Sequence, residues 1–267
     1  MRGLVRIVHP FPSLLVTAVT LALVPLADRS AGVGLYLMLG LGMLAYQFAI
    51  GAANDVVDVA DDRAANRPKP LVRGDLAPRS ATRLAVLFAG AGMVVTLGLD
   101  PGPWAIGLAG LACGLVYDAW LKRTALSWLP MSVAFPLVPV WVFSAAGAWH
   151  ALLWWAFPLG ILLGASVHLA NQIPDVAAEA GRVRGAAHRL DVRAAFRLAM
   201  GCFGAAASTA TVVLAFVSQE RALLAAIAGV VALLTAPRAA RLFGRNGLFG
   251  VLAVSSAVLA LVFLSAV

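Results

Sequence analysis

Residues 32–62 read GVGLYLMLGLGMLAYQFAIGAANDVVDVADD, an apolar run that ends in a cluster of acids. The part from 32 to 53 has the length, about 20 residues, that an α-helix needs to cross a bilayer. Over the whole chain, 62% of the 267 residues are hydrophobic and 12% are charged. A soluble domain carries roughly a quarter charged residues, and a chain of this length has too little interior to hide so much apolar surface from water. The sequence therefore predicts a membrane protein.

Eight further segments have a similar length and hydrophobicity, which brings the number of predicted spans to about nine. The composition and the spans together predict an all-α polytopic membrane protein that forms a single domain over residues 1–267. The predicted spans are 10–27, 32–53, 83–99, 103–120, 127–147, 151–170, 195–217, 222–236 and 246–267.

The basic residues test this arrangement independently. If the N-terminus is cytoplasmic, 18 of the 20 lysines and arginines fall on the cytoplasmic side, and Arg29 and Arg221 fall on the other. The positive-inside rule then places the N-terminus inside and, after nine spans, the C-terminus outside. Basic loops beside a membrane are topology signals and lipid contacts, so the net charge of +8 does not indicate nucleic-acid binding. The high alanine and arginine content favours a bacterial plasma membrane.

Two predicted cytoplasmic loops, at about 54–82 and 171–194, are long and open with acidic residues. Residues 54–62 read NDVVDVADD, and residues 171–179 read NQIPDVAAE. Aligned, the two segments share the pattern Asn-x₃-Asp-x₃-Asp/Glu at a distance of 117 residues. We call the matching residues the first stripe and the second stripe: Asn54, Asp58 and Asp62 form the first, and Asn171, Asp175 and Glu179 form the second.

The spacing of each stripe has a chemical meaning. Side chains four residues apart lie on one face of a helix, and like charges placed in this way repel one another. Mg²⁺ binds carboxylate, amide and phosphate oxygens. Because both stripes end spans of the same orientation, they are predicted to face a cavity and to hold Mg²⁺ and a diphosphate there. Solvated acidic helix ends, a Ca²⁺ site or a lipid-contact site are the alternatives.

Basic residues follow the first stripe and end the fourth predicted span. Arginine binds phosphate oxygens through two parallel hydrogen bonds, and lysine binds them as a point charge. Most of the other cations are explained by topology alone. The residues predicted to bind the diphosphate are Arg67, Arg73, Lys122 and Arg123.

One histidine lies close to the second stripe in sequence. His168 precedes Asn171 by about one helical turn, and an ionisable side chain at membrane depth is a functional candidate. It is either a base that faces the cavity or a hydrogen-bonded histidine in the protein interior, and the second interpretation is preferred.

Three segments carry a family resemblance. Residues 54–74 resemble the first signature of the UbiA superfamily of intramembrane prenyltransferases. Residues 117–124, YDAWLKRT, resemble the fourth-helix motif of that family, and 171–179 resembles its second aspartate-rich motif, with Glu179 where aspartate is common. Together with the nine predicted spans, the resemblance covers essentially the whole chain.

The resemblance implies a helical bundle around a central cavity that is open to lipid and capped by the two cytoplasmic loops. It implies a transferase of alkyl or aryl groups other than methyl, which ionises an isoprenyl diphosphate donor with Mg²⁺ and prenylates an aromatic or lipid acceptor. The residues that this chemistry makes catalytic are Asp58, Asp62, Asp175 and Lys122.

Two alternative functions stay open at this point. A terpene cyclase of the same family uses the same stripes but captures the allylic cation within its own carbon chain. A transporter belongs to a different class, and its acidic residues are usually placed near the bilayer midplane at broken helices. The position of both stripes at span ends on one side of the membrane disfavours the transporter.

Overall fold

A computed structural model describes residues 6–178 and 185–267, with side chains except at 174–178, 186, 188, 245 and 246. All regular secondary structure within these residues is helical. Short 3₁₀-helices occupy Thr96–Gly98, Leu121–Arg123, Ala151–Trp155 and Ala186–Arg189. The α-helices are α1 (Pro10–Ala27), α2 (Val33–Ala64), α3 (Pro70–Arg73), α4 (Pro78–Val95), α5 (Pro101–Ala119), α6 (Leu129–Ala145), α7 (Ala156–Ala178), α8 (Val192–Ala215), α9 (Gln219–Leu242) and α10 (Arg245–Leu264).

Each predicted span overlaps one of the nine longer helices in the described part of the chain, with ends that differ by up to eleven residues. Seven segments of that part are long and apolar enough to cross a membrane, and α6 is a shorter apolar helix of 17 residues. The prediction of an all-α multi-pass membrane protein is therefore confirmed.

The structure differs from the sequence prediction at the two long loops. The first was expected at about 54–82 and the second at about 171–194, but α2 continues to Ala64 and α7 to Ala178. Residues 54–64 contain neither glycine nor proline, so nothing in them stops the helix. The first stripe therefore lies on a helix, as its spacing requires. The loop after it is shortened to residues 65–77, which we call the first cap segment, and we call residues 179–191, between α7 and α8, the second cap segment.

Sequence signals fix where several helices begin. The N–H groups of the first helical turn have no partner within the helix, so proline, which has no N–H, is well suited to this position. Helices α1, α3, α4 and α5 all have a proline there. At α8, the side chain of Asp191 accepts a hydrogen bond of 2.7 Å from the N–H of Ala194. Asp191 thus satisfies a backbone donor that a helix end leaves without a partner, and the prolines remove such a donor.

The chain divides into two compact units, which are described separately. The first unit comprises Met1–Trp120 and Trp141–Ala148, and the second comprises Leu121–Val140 and Trp149–Val267. The boundary falls within α6, whose residues are shared between the units.

Helix α2 is the central helix of the first unit, where it packs against α1, α4 and α5. Glycines permit the close approach that helix packing in membranes uses. A Cβ added at Gly92 of α4 would lie 2.6 Å from the Tyr46 ring. A Cβ at Gly114 of α5 would overlap the side chain of Ile50. The first stripe thus lies at the end of a helix that packs against three others of its unit.

Helix α7 has the corresponding position in the second unit, where it packs against α8 and α10. The Ser166 hydroxyl donates a hydrogen bond of 2.8 Å to the Ala199 carbonyl, which joins α7 to α8. A Cβ added at Gly164 would lie 2.7 Å from the Met131 carbonyl oxygen. The first stripe and the described part of the second are therefore carried by helices that pack against several others.

Candidate active site

Three aspartates near the end of α2 form a buried group, which we call the carboxylate cluster. Asp55 and Asp62 are each 2% exposed, and Asp58 is 7% exposed. Their spacing of three and four residues places them on one face of the helix. Buried carboxylates are stable only with cations or hydrogen-bond donors nearby, so the partners of this cluster decide what it does.

Lys69 is the cation at the centre of the carboxylate cluster. Its Nζ lies 2.8 Å from Asp62 Oδ2, 3.0 Å from Asp55 Oδ1 and 3.9 Å from Asp58 Oδ2. Burial by itself lowers the pKa of Lys69, but the carboxylates of Asp55 and Asp62 outweigh burial and raise the pKa above its ordinary value. Lys69 is therefore a charged ammonium at neutral pH.

The chain reversal after α2 brings Lys69 back over the helix. Asn66 adopts a left-handed conformation with φ of 51°, which asparagine tolerates better than most residues. The N–H of Arg67 then bonds to the Asp62 carbonyl at 2.9 Å. Pro68 and Pro70 flank Lys69 and restrict its backbone. The role of Lys69 was not predicted from the sequence. The prolines on either side of Lys69, which restrict its backbone, are the sequence feature that could have indicated it.

The predicted diphosphate-binding residues of this segment have different surroundings. Arg67 lies beside the cluster, with its Nη1 3.4 Å from Asp62 Oδ1. Arg73 is at the end of α3 and forms an exposed ion pair of 3.2 Å with Asp75. Arg67 thus already contacts the first stripe, whereas Arg73 points to a neighbour on the surface.

Asn54 has a partner on α5. Its Nδ2 donates a hydrogen bond of 2.7 Å to Oδ1 of Asp118, which is 3% exposed. This bond joins the first stripe to Asp118 of the segment 117–124, which resembles the fourth-helix motif of the family. Asp118 was not predicted as a site residue. Its position next to Tyr117 at the end of a span was the signal.

A second unpredicted residue reaches the cluster from the start of α1. His9 Nε2 lies 3.1 Å from Asp55 Oδ1, the same oxygen that Lys69 contacts. His9 has a φ of 47°, a left-handed conformation that non-glycine residues rarely adopt. Gly51 of α2 makes room for this segment, since a Cβ there would lie 3.1 Å from the Val8 carbonyl carbon. Asp55 therefore ties the N-terminal segment to the first cap segment.

In the second unit, part of the second stripe is described. Asn171 is exposed on α7. The backbone of Asp175 is helical, its side chain lies outside the described part, and Glu179 lies outside the described residues. The roles assigned to these residues stay predictions.

Neutral hydrogen bonds surround the start of the second stripe. His168 is fully buried, and its Nε2 lies 3.0 Å from the Ser127 hydroxyl. The Oε1 of Gln172 accepts a hydrogen bond of 3.1 Å from the Ala187 N–H, which holds the 3₁₀-helix at Ala186–Arg189 against α7. These contacts agree with the interpretation of His168 as an interior, hydrogen-bonded histidine.

Lys122 and Arg123 lie on the 3₁₀-helix Leu121–Arg123 that follows α5. Arg123 is exposed and Lys122 is half-buried. A Cβ added at Gly185 would lie 2.9 Å from the Lys122 carbonyl oxygen and 2.5 Å from Gln172 Nε2. The segment that carries Lys122 is therefore in close contact with the chain that follows the second stripe.

The donor set of the first stripe fits a hard divalent cation. It supplies carboxylate and amide oxygens, which Mg²⁺ prefers. Asp55 lies beside the stripe in the carboxylate cluster, and among the described residues no group donates a hydrogen bond to its buried Oδ2. In the same part of the chain, no group of three His, Cys, Asp or Glu side chains is arranged so that it could hold a metal ion. The ammonium of Lys69 lies between the carboxylates instead.

Comparison with known proteins shows what this chain is similar to. The model of the UbiA prenyltransferase family matches residues 13–248, whereas no curated protein sequence is significantly similar to the chain. A solved UbiA homologue from Aeropyrum pernix K1 is 16% identical, with a TM-score of 0.74 over 92% of this chain and 95% of its own. A UbiA homologue from Archaeoglobus fulgidus, bound to GPP and Mg²⁺, is 14% identical, with a TM-score of 0.74 over 97% of this chain and 99% of its own.

A digeranylgeranylglyceryl phosphate synthase structure is 12% identical, with a TM-score of 0.71 over 99% of this chain and 96% of its own. At such identities the structural likeness establishes the fold, and the family match over most of the chain establishes the relationship. The helical architecture agrees with both. The chain belongs to the UbiA prenyltransferase family.

Proposed function

We propose that this protein transfers the prenyl group of an isoprenyl diphosphate to a hydrophobic acceptor, aromatic or lipid, within the membrane and with Mg²⁺. The observation that carries the proposal is the carboxylate cluster, a set of buried aspartates that ends a membrane-spanning helix and has basic side chains beside it. Family membership supports it, as do the Archaeoglobus fulgidus homologue structures bound to Mg²⁺ with GPP and with DMAPP.

The two stripes are the proposed metal ligands. Asp58 and Asp62 belong to the carboxylate cluster, and Asn54 contributes an amide oxygen while its Nδ2 bonds to Asp118. Asn171, Asp175 and Glu179 are the corresponding ligands of the second stripe. When bound, Mg²⁺ neutralises the negative charge that grows on the diphosphate as it leaves.

The basic residues bind the phosphate oxygens that the metal leaves uncovered. Arg67, Arg73, Lys122 and Arg123 are proposed to share this role, and the position of Arg67 beside Asp62 supports its assignment. During the reaction, the bond between the allylic carbon and the diphosphate oxygen breaks, and its electron pair stays on the oxygen. An electron pair of the acceptor forms the new bond to that carbon, and the acceptor then releases a proton.

The first test is diphosphate release by the purified protein in detergent. Geranyl, farnesyl and geranylgeranyl diphosphate are each supplied with a mixture of aromatic and lipid acceptors, with Mg²⁺ or with EDTA, and products are followed by mass. We expect release that requires Mg²⁺ and yields a prenylated acceptor. A hydrocarbon or terpene alcohol formed without acceptor would establish the cyclase instead, and no release from these or longer donors would refute both.

The orientation is a separate part of the proposal. We place the N-terminus and both cap segments in the cytoplasm and the C-terminus outside a bacterial plasma membrane, because 18 of the 20 basic residues then lie inside. Reporter fusions after Val267 test it, with an alkaline phosphatase that is active outside and a fluorescent protein that folds inside. We expect phosphatase activity without fluorescence, and the reverse result would invert the topology.

A further inference from the structure

The position of Lys69 has a consequence for metal binding at the first stripe. Its Nζ contacts one carboxylate oxygen each of Asp55, Asp58 and Asp62 at 2.8 to 3.9 Å. Asp58 and Asp62 are also the carboxylates that the proposed function assigns to Mg²⁺. An ammonium ion and a metal ion repel each other strongly at such distances, so the two cannot share these oxygens.

We propose that Lys69 is the resident counter-cation of the first stripe, and that its ammonium leaves the carboxylate cluster when Mg²⁺ binds. The inference rests on the proposed function and adds a residue to it. Lys69 holds the aspartates together in the absence of metal, because three buried carboxylates without a cation would repel one another. The metal then binds in competition with a side chain of the same protein.

The surroundings of Lys69 allow its side chain to move while its backbone stays. The Lys69 carbonyl accepts the N–H of Arg73 at 3.0 Å, and the Lys69 N–H donates to the Arg67 carbonyl at 2.8 Å. The side chain is 25% exposed, so a path to solvent exists. A lysine side chain has four rotatable carbon–carbon bonds and needs no backbone change to swing outward.

Asp55 is expected to stay in place during this exchange. Its Oδ1 is held by His9 as well as by Lys69, so it keeps a polar partner when the ammonium leaves. This assigns His9 and Asp55 a positioning role, in which they hold the end of α2 while Asp58 and Asp62 change from an ammonium partner to a metal partner.

The first experiment reads the position of Lys69 without any variant. The chain contains two lysines, Lys69 and Lys122, and the reaction of each with an amine-directed reagent is quantified by mass spectrometry, with EDTA or with Mg²⁺ and without donor. We expect the labelling rate of Lys69 to rise several-fold with Mg²⁺ and that of Lys122 to change less. An unchanged Lys69, or an equal rise at both lysines, overturns the inference.

The second experiment measures the competition. Lys69→Met is compared with Arg63→Met, which removes a cation from the exposed end of α2 outside the carboxylate cluster. Mg²⁺ is titrated while the melting temperature in detergent is followed. We expect Lys69→Met to melt lower than wild type without Mg²⁺ and to bind Mg²⁺ about tenfold more tightly, because hydrogen bonds to the carboxylates no longer have to be broken.

Three results separate this inference from the proposed function. If Arg63→Met tightens Mg²⁺ binding as much as Lys69→Met does, the effect is general charge and the inference fails. If Mg²⁺ stabilises the wild type but the labelling of Lys69 does not change, the inference fails and the proposed function stands. If Mg²⁺ neither stabilises the wild type nor supports diphosphate release, both fail. If Lys69→Met does not fold, the labelling of the wild-type protein still tests the inference, and Lys69→Arg, which keeps a cation at this position, takes the place of Lys69→Met in the Mg²⁺ titration.

Discussion

The segments that follow the two stripes are held in different ways. After α2, the chain turns back and its cations contact the acids of the same helix: Lys69 lies among the carboxylates, and Arg67 lies beside Asp62. After α7, Gln172 bonds to the backbone of Ala187, and His168 on the same helix bonds to Ser127. One cap segment is thus held by charge and the other, in its described part, by neutral hydrogen bonds.

The difference indicates a division of labour between the two segments. Contacts between buried charges depend on which cation is present, so the first cap segment should respond to a divalent metal. Neutral hydrogen bonds to the backbone fix a geometry independently of metal. The second cap segment should therefore stay in place while the first one exchanges its partners, and variants in the two segments should have different effects.

The largest effect is expected from the carboxylates. Asp58→Asn and, on the second stripe, Asp175→Asn each remove one negative charge at nearly constant shape. Because electrostatic stabilisation of the leaving group supplies much of the rate enhancement in such catalysis, we expect Mg²⁺-dependent diphosphate release to fall by about 10²-fold to 10³-fold. Rates are measured at saturating donor and at several Mg²⁺ concentrations.

Asp61→Asn is the matched control for the carboxylate variants. It makes the same substitution on the helix that carries Asp58, at a half-buried residue outside both the first stripe and the carboxylate cluster. We expect it to retain most of the wild-type rate. Full Mg²⁺-dependent turnover in Asp58→Asn or Asp175→Asn would show that the stripes are not the metal site.

A smaller effect is expected from Lys122→Ala. Loss of one charge-assisted hydrogen bond corresponds to about a tenfold weaker affinity for the diphosphate. Folding should be preserved, because the close contact with Gly185 is made by the Lys122 backbone carbonyl, which the substitution keeps. Binding of inorganic diphosphate with Mg²⁺ is measured by calorimetry in detergent, and an unchanged affinity would remove Lys122 from the site.

Gln172→Leu tests the neutral side of the comparison. It leaves the buried N–H of Ala187 without its partner, which costs about 1–3 kcal/mol. We expect faster hydrogen exchange at residues 185–189 and a lower melting temperature, with the apparent Mg²⁺ affinity unchanged. Gln219→Leu makes the same substitution at an exposed position at the start of α9 and should change neither. A large shift in Mg²⁺ affinity in Gln172→Leu would show that the two cap segments do not divide their roles.

The smallest effect is expected from Asp75→Asn. Its ion pair with Arg73 is exposed on both sides, and exposed pairs typically contribute less than about 1 kcal/mol. The melting temperature should stay within error of wild type at low and at high salt. A drop comparable to that of Lys69→Met would mean that charge stabilises the first cap segment throughout and not mainly at the carboxylate cluster.

The sequence was sufficient for the helices and for the stripes. Hydrophobic runs of spanning length locate α1, α2 and the other long helices, because lipid leaves the backbone few alternatives to a helix. The boundary near Ala64 was harder to predict, since α2 continues past its apolar part where no glycine or proline stops it. The boundary at Ala178 was harder still, because α7 continues to it through Pro174. Among the partners of the first stripe, Arg67 was predicted from its place in the sequence, whereas Lys69 and Asp118 were not.

What the sequence by itself determined is the class of the protein, its membrane helices and the two stripes, since helical periodicity and hydrophobicity are local properties of the chain. What only the tertiary structure decided is which side chains meet at the carboxylate cluster. His9 and Asp55 are 46 residues apart, and Asn54 and Asp118 are 64 apart. Lys69 reaches the cluster through the left-handed turn at Asn66. Such contacts depend on how helices pack and where the chain reverses, and no periodicity in the sequence encodes them.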